Sequence, residues 1–536
     1  MATFDAIVIG AGANGLTAAA TLARAGLRVQ VAERGDTLAG QASAIEFASG
    51  YHAAPLGLDA GWVSPGVARE LGLAAMLRGQ RVEPEVPLSV ALGGGEFLPL
   101  PRDAARAADV MRRHSASDAA RWPAFAARLR TLSGFLEALY GRPAPDVEVE
   151  ALGEAWPLLA LARKLRGLGR QGMTELLRTV PMPVADLADE WFESEPLRAA
   201  IAACGVHEDR HGPRAGGTGF VLLHWLVGAP EGAVRGRGVW RDAPDAFVRA
   251  AESAARRHGA SIRTGAPVAR ILVRDDAVAG VVLEDGEEIG ARLVLSAADP
   301  KRTLLGLVDP VWLDPELLHA AGNIRLRGCT TFVLYALDAL PEAGGPDHAT
   351  ELLRGVVSLT PDVDLLERAA DAVKYGHVPQ RPHIEITAPT LHWPALAPPG
   401  RHVLVARVHY TPYRLRTAAD RDGDRARHIA DAVTRAIDEV LPGFAARVTA
   451  QATLTPADLE QRFGLTEGAA THGELALDQI LFMRPLAGYS RYAMPIDGLY
   501  LCGAGAHPGP GVPGGPGWLA ARRALADRRT LVDRRA

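Results

Sequence analysis

Cysteine is scarce. Cys204, Cys329 and Cys502 are the only three in 536 residues, and no two stand close enough for a C-x-x-C pair. That excludes a dithiol redox centre and a zinc knuckle, and it fits a reducing, intracellular setting. Charge of one sign is also lacking: 58 Lys and Arg against 62 Asp and Glu leave a net charge of -4, which argues against bulk nucleic-acid binding. Long apolar runs are absent too. Phe220 to Val227 is among the longest, well short of the ~20 residues of a membrane span. Met1 to Phe4 leaves no room for a signal peptide before the first apolar run. The expectation is a cytoplasmic protein, soluble or peripheral to a membrane. There is no internal repeat, and no metal is expected: His392, His402, His409 and Tyr410 have no ligand spacing and read as core or surface groups.

What is present is ordinary for a globular protein, with 48% hydrophobic and 22% charged residues. The length suits two or three domains. The most informative stretch runs from Asp5 to Glu33. Ala6 to Ile9 is a short apolar run that breaks at Gly10, and Gly10, Gly12 and Gly15 fall at the G-x-G-x-x-G spacing. A helical pattern follows through Leu16, Ala19, Ala20 and Ala23, and a second apolar run, Leu27 to Ala32, closes on Glu33. Gly10 permits a tight turn, Gly12 lets a pyrophosphate approach the backbone, and Gly15 lets the helix lie close to the sheet. The helix N-terminus offers unpaired N–H groups to phosphate. Glu33 stands where an acid accepts hydrogen bonds from ribose and repels a 2′-phosphate. The motif therefore reads as a site for an ADP moiety, a poor one for NADP, with FAD and NAD both open.

Further on, 103–228 reads as mostly helical, including Ala119 to Tyr140 and Trp156 to Val180. In the second, Leu158, Leu159, Leu161, Leu165 and Leu168 alternate with Arg163, Lys164, Arg166 and Arg170. Such a helix either lies on an anionic membrane surface or is a surface helix with a core-facing stripe. Val268 to Val273 and Ala277 to Leu283 alternate as strands, with Asp285-Gly286 as a hairpin turn. Leu293 to Ser296 reads as a buried strand returning to the nucleotide sheet; Ala297 and Ala298 are small enough to let a cofactor pass its end. Strands are expected near Thr330 to Tyr335, Ile384 to Thr387 and His402 to His409, and helices over Leu365 to Tyr375 and Asp424 to Val440. A last strand ends at Gly503, before a glycine- and proline-rich loop and a helix beginning near Gly515 or Gly517. Gly509, Gly511 and Gly514 repeat the glycine spacing, but Pro510 and Pro513 remove donors and no acid-terminated strand follows, so a second nucleotide site is rejected.

Together these blocks resemble the phytoene desaturase-like family of FAD-dependent oxidoreductases, nearest its pyridine nucleotide-disulphide oxidoreductase domain-containing protein 2 branch. The matching stretches are Ile9 to Glu33, Gly50 to Leu73, Glu190 to Leu197, Gly259 to Thr303, Ala397 to Gly400 and Gly473 to Ala521. The resemblance implies an α/β fold: a glutathione-reductase-like Rossmann FAD domain, discontinuous, with an inserted α+β substrate domain. The expected division is 1–102, 229–310 and 473–536 for the FAD-binding parts, 103–228 for a helical substrate- or membrane-facing region, and 311–472 for the substrate-domain sheet and helices. It also implies non-covalent FAD and an apolar tunnel for a lipophilic, isoprenoid- or carotenoid-like substrate. Carried over, the cofactor contacts are Gly12, Asn14, Glu33, Arg34, Gly40, Gln41, Val268, Gly503 and Val512; Gly10, Gly15, Ala298 and Gly511 complete the candidate set. Three places depart from the family pattern. Ala39-Gly40-Gln41 stands where a Gly-Gly-Arg is usual, Gly238 to Asp242 replaces a Gly-Gly-Met-like turn, and Trp518-Leu519 replaces an Arg-Asn.

The implied chemistry is desaturation, saturation or isomerisation by hydride transfer at flavin N5, with a quinone or oxygen as electron acceptor. His507 is the candidate acid or base, because it follows the strand end on the flavin loop. Two alternatives stand beside it. One is an amine-oxidase-type flavoenzyme acting on a smaller polar substrate, for which Trp518 would be an aromatic wall. The other is a FAD-bound interaction protein with little turnover, favoured by the altered loops.

Overall fold

The four residues Ala6–Ile9 (β1) are buried on both faces, which suits a strand of a parallel sheet covered on each side by helices. The computed structural model describes residues 2–73, 79–145, 162–230, 232–235, 238–341, 346–416 and 424–533. After β1 come the helix Ala13–Arg24 (α1) and the strand Val29–Ala32 (β2). The chain then leaves this sheet and returns three times, at Ser261–Arg263 (β3), Leu293–Ser296 (β4) and Leu499–Leu501 (β5). The five strands are ordered β3-β2-β1-β4-β5 and all pair in parallel. Helix Gly515–Asp533 (α2) and helix Ala246–Arg257 lie against α1. Small side chains at Ala18, Ala19 and Ala20, all buried, permit this close covering.

A second, four-stranded sheet carries Val268–Arg274, Ala277–Leu283, Glu288–Gly290 and Ala2–Thr3. Its hairpin turns at Asp285-Gly286 as the sequence indicates, with Val282 opposite Glu288. The third sheet has seven strands, in the order Val448–Leu454, Thr330–Leu337, His402–His409, His383–Thr387, Val356–Ser358, Leu88–Gly93 and Glu96–Leu100. This corrects one expected boundary. The hairpin Leu88–Leu100, assigned above to the first nucleotide-binding segment, pairs in parallel with Val356–Ser358. Its apolar face, Leu88, Val90, Leu98 and Leu100, joins the core of the helical layer. The alternation of that hairpin says that one face is buried, but not which sheet it joins.

The helical layer is built from Ala104–Met111, Ala116–Tyr140, Gly169–Thr179, Val184–Trp191, Glu195–Gly205 and Thr218–Trp225. At its centre Trp122, Phe125 and Phe192 are buried and in mutual ring contact. The buried Asp118 accepts the backbone N–H groups of Glu193 (2.8 Å) and Ser194 (2.9 Å), which fixes the start of the helix that follows. Of the basic amphipathic stretch, 156–161 lies outside the described residues. In the rest, Leu165 and Leu168 face the core while Arg163, Lys164, Arg166 and Arg170 are exposed. The histidines are satisfied locally: His392 bonds the Arg354 carbonyl at 2.8 Å, His402 the Thr390 hydroxyl at 3.2 Å and His409 the Asp209 carbonyl at 2.7 Å. Among the described residues no helix is long and apolar enough to cross a membrane, and no cluster has the composition of a metal site. All three cysteines are buried and free.

Trp122→Ala should cost about 3–5 kcal/mol of unfolding free energy, the usual price of emptying a buried aromatic site. Urea denaturation checks this, and a loss under about 1 kcal/mol would mean that the helical layer closes over the hole.

Candidate functional site

The glycine loop between β1 and α1 is shaped by contacts rather than by flexibility alone. Gly10 has φ +95°, a backbone that L side chains rarely adopt. A Cβ on Gly15 would lie 1.9 Å from the Gly10 carbonyl oxygen, so the first turn of α1 can approach the strand end only without a side chain there. A Cβ on Gly12 would meet nothing within 4 Å: that side of the loop is open. Gly12 also supplies no side-chain cap to α1, so the N–H groups of the first turn are left for a ligand. Glu33, at the end of β2, reaches back across this gap. Its Oε2 accepts the Ala11 N–H at 2.6 Å and its Oε1 the Gly35 N–H at 2.9 Å.

From this loop extends a cavity of about 400 Å³. Its wall includes Gly10, Gly12, Asn14, Gly15, Glu33, Arg34, Gly40, Gln41, Val268, Ala298, Gly511 and Val512, twelve of the thirteen residues the sequence puts forward for a cofactor. They come from five separate stretches of chain. The thirteenth, Gly503, stands outside the wall. A Cβ there would lie 2.4 Å from the Ala297 carbonyl oxygen, so its glycine is demanded by the neighbouring strand end. Asn14 links the two ends of the chain, its Oδ1 accepting the Gly514 N–H at 3.0 Å. Gln41 donates to the Ala470 carbonyl at 2.9 Å, and Arg34 donates to the Arg462 carbonyl at 3.1 Å.

Loop 509–513 lines the cavity and is held from the helical layer. His224 Nε2 lies 3.0 Å from the Pro510 carbonyl, and His224 Nδ1 lies 2.6 Å from the Tyr140 hydroxyl. The imidazole therefore donates to the loop through Nε2 and accepts from Tyr140 through Nδ1. The backbone N–H of Trp62 donates to the Gly511 carbonyl at 2.9 Å. Arg484 ties together the segments that precede the loop. It is buried, and it donates to carbonyls of Thr471 (2.6 Å), Gln479 (3.2 Å) and Ala504 (2.8 Å). Burial pulls its guanidinium down to about 10.

Two expectations are corrected. His507 does not line the cavity. It is buried behind the loop, with Nε2 3.1 Å from the Arg142 carbonyl and its ring 5.9 Å from that of Tyr140. The cause is geometric: the chain turns after Gly503, and the residue that follows the strand end points into the helical layer. Trp518 is also turned away. A Cβ on Gly66 would lie 2.2 Å from its ring, and Arg522 stacks on it with 4.9 Å to the centroid. It fills a gap between helices and walls no site.

The aromatic wall is formed instead by Trp225 and Trp240, beside His207, Asp59, Glu208 and Arg407. Arg407 lies 3.1 Å from each His207 ring nitrogen, 3.4 Å from a Glu208 oxygen and 3.7 Å from Glu385. Arg235 pairs with the other oxygen of Glu385. Burial acts to raise the Glu385 carboxyl, but Arg235, and then His383 and Arg407, hold it well below the usual carboxylate range. His472 and Arg302 also reach the cavity. None of these was found by sequence reasoning. They occur singly in strands and loops; Trp225 lies in the apolar run Phe220 to Val227 and Trp240 in the departing turn Gly238 to Asp242.

Burial pushes the His507 imidazole down from 6.5 to about 4, and does the same to His409. Between those values the unfolded chain binds protons that the folded chain does not, so stability falls as pH drops from 6.5 towards 4. His507→Gln should flatten that fall in denaturation midpoints measured across the range; an equally steep profile in the variant would show that His507 does not contribute.

Residues 8–67 match the NAD(P)-binding Rossmann-like domain. The chain is 34% identical to pyridine nucleotide-disulfide oxidoreductase domain-containing protein 2 of Rattus norvegicus, across 95% of this chain and 91% of that one. It is 26% identical to a hydroxyneurosporene desaturase of Rhodobacter capsulatus, across 95% and 94%. Among solved structures, a putrescine oxidase bound to putrescine superposes with a TM-score of 0.59 at 15% identity, covering 98% of this chain and 99% of that one; at that identity the likeness concerns the fold, a mixed α/β Rossmann-like dinucleotide-binding architecture. The nucleotide loop, the returning strands and the full-length similarity agree: the chain belongs to the phytoene desaturase-like family of FAD-dependent oxidoreductases, in its pyridine nucleotide-disulfide oxidoreductase domain-containing protein 2 branch.

Proposed function

We propose that the cavity holds FAD without a covalent bond and brings it against a lipophilic, isoprenoid-like substrate for desaturation, saturation or isomerisation. The observation that carries this reading is the single cavity walled both by the Glu33–glycine loop and by loop 509–513 with Trp225 and Trp240. The residues present suit FAD. Gly12 leaves open space, the first turn of α1 is uncapped, and Arg302 Nε and His472 Nδ1 are shielded from solvent without a hydrogen-bond partner. Gly10, Gly12, Asn14 and Gly15 would hold the diphosphate, Glu33 the ribose and Val268 the adenine. When bound, the flavin supplies the hydride acceptor or donor at N5. The chain's own part is to orient and to exclude water: Trp225 and Trp240 offer apolar faces, and the His224–Tyr140 pair holds the loop in place. A relative named as a hydroxyneurosporene desaturase, similar over nearly its whole length, supports the lipophilic substrate class. The nucleotide unit is read as glutathione-reductase-like, assembled from 1–102, 229–310 and 473–536 but without the hairpin Leu88–Leu100. A quinone or oxygen is the proposed electron acceptor.

A second reading has one observation in its favour. The carboxylates of Asp59 and Glu208 also line the cavity, and Glu208 has φ +54°, a strained backbone for a side-chain-bearing residue. Acids at an aromatic-walled cavity suit a cationic substrate, as an amine oxidase would require.

Freshly purified protein should show a flavin absorption band and release FAD on denaturation, identified by mass. Anaerobic bleaching by polyenes supports the first reading. Bleaching by amines with peroxide release supports the second. A colourless protein that takes up no added FAD would sink both.

A peripheral membrane contact through 156–180 is also proposed, centred on the exposed Leu177, which lies between Arg170 and Arg178. Leu177→Glu should then lower co-sedimentation with anionic vesicles; unchanged sedimentation would remove the idea.

A further inference from the structure

Arg302 opens the short helix Arg302–Leu307, just past the end of β4. Its backbone N–H donates to Asp299 Oδ1 at 2.9 Å, and Asp299 Oδ2 is occupied by the Thr466 hydroxyl at 2.6 Å. The guanidinium itself makes no hydrogen bond or ion pair among the described residues, yet it lines the cavity and its Nε is shielded from solvent. A guanidinium in a cavity wall with no protein partner has its N–H groups free for the negative charge of a ligand. The other guanidiniums on the wall are committed, Arg34 to the Arg462 carbonyl and Arg407 to His207, Glu208 and Glu385.

The place is as informative as the missing partner. Ala297, five residues before Arg302, has its Cβ 3.5 Å from where a Cβ on Gly10 would lie and 3.4 Å from where one on Gly15 would lie. The helix Arg302–Leu307 touches strand Val268–Arg274, whose first residue lines the cavity. Arg302 therefore sits on the nucleotide side of the cavity, near the glycine loop. His472 is beside it in the electrostatic sense. Burial lowers the His472 imidazole, Asp299 opposes this, and Arg484 and Arg302 push it further down. Its Nδ1 is shielded and without a hydrogen-bond partner, on a backbone with φ +54°. The segment carrying it is pinned by Gln41 at Ala470 and by Arg484 at Thr471. Position 41 is where the resemblance expects an arginine. Here a glutamine stands, and its amide is spent on a carbonyl.

We propose that Arg302, with His472 as a second donor, is the counter-charge for the diphosphate of the bound dinucleotide. The inference rests on the dinucleotide reading of the cavity. The N-terminus of α1 carries only roughly half a positive charge, too little to offset a diphosphate alone. A guanidinium can present two parallel N–H groups to phosphate oxygens, which adds both energy and orientation.

The test is calorimetric titration of ADP and FAD into cofactor-free, full-length protein, as wild type, Arg302→Met and Arg302→Lys. Loss of charge-assisted hydrogen bonds should weaken ADP and FAD alike, by about ten- to a hundredfold in Arg302→Met and by less in Arg302→Lys. Wild-type ADP binding should weaken with added salt, and Arg302→Met should be less sensitive. Equal affinities in all three proteins would overturn the proposal. So would a loss confined to FAD, which would place Arg302 at the flavin half. Should Arg302→Met fail to fold, Arg302→Lys and the wild-type salt series decide, and wild-type binding indifferent to salt counts against. Wild-type protein that binds ADP in the predicted way but rejects FAD would keep this proposal and sink the flavin reading. Binding of neither would sink both.

Discussion

The first turn of α1 is crowded on two sides and open on the side of Gly12, and much of the molecule follows from that. On one side the Gly10 carbonyl oxygen lies where a side chain on Gly15 would begin. On the other, a Cβ on Gly517 would fall 1.9 Å from the Asn14 carbonyl oxygen. The helix N-terminus is thus wedged between the first loop of the chain and the start of its last helix. Asn14 then uses its side chain to fix Gly514, in the loop that closes the cavity. One close approach sets both the open glycine edge of the cavity and the position of the loop that lines it. At Gly15 and Gly517 the glycine is required by a neighbouring backbone oxygen.

Much of this was legible before the structure, for physical reasons. A parallel strand buried on both faces tends to read as an apolar run, and Ala6 to Ile9 and Leu293 to Leu295 do. A turn needing positive φ favours glycine, and Gly286 at φ +89° supplies it. What escaped notice depends on direction and partner rather than on pattern. The hairpin Leu88–Leu100 displays its buried face plainly but not the sheet it joins. His507 follows a strand end, as an active-site residue would, yet its side chain enters the helical layer. Trp518 stands where a family arginine is usual and was read as facing the cavity, but it fills a gap against Gly66. Arg302, His472, Glu208 and Arg407 lie far apart in the chain and follow no periodicity. Only the crossing of several segments brings them to one wall.

The cavity wall is also more polar than an isoprenoid tunnel suggests. Arg407 and Glu208 line it beside two tryptophans, and behind them Arg407 reaches Glu385, which pairs with Arg235. Such sets are seldom the cheapest way to stabilise a fold, since apolar residues of similar volume often serve as well.

The strand order of the nucleotide sheet has a consequence for how the protein comes into being. β1 and β2 emerge first, but their sheet is completed by β5 and α2, close to the end of the chain. At translation rates of 5–20 residues per second, roughly 25 to 100 s separate the appearance of the first strand from that of the last. During that interval the apolar faces of β1 and α1 have no final cover, and the glycine loop has no Gly514 to clasp. The cavity cannot take its final shape until that later stretch has been made. The newly made protein must pass through a stage in which β1 waits for β5, a stage open to chaperones and to proteases.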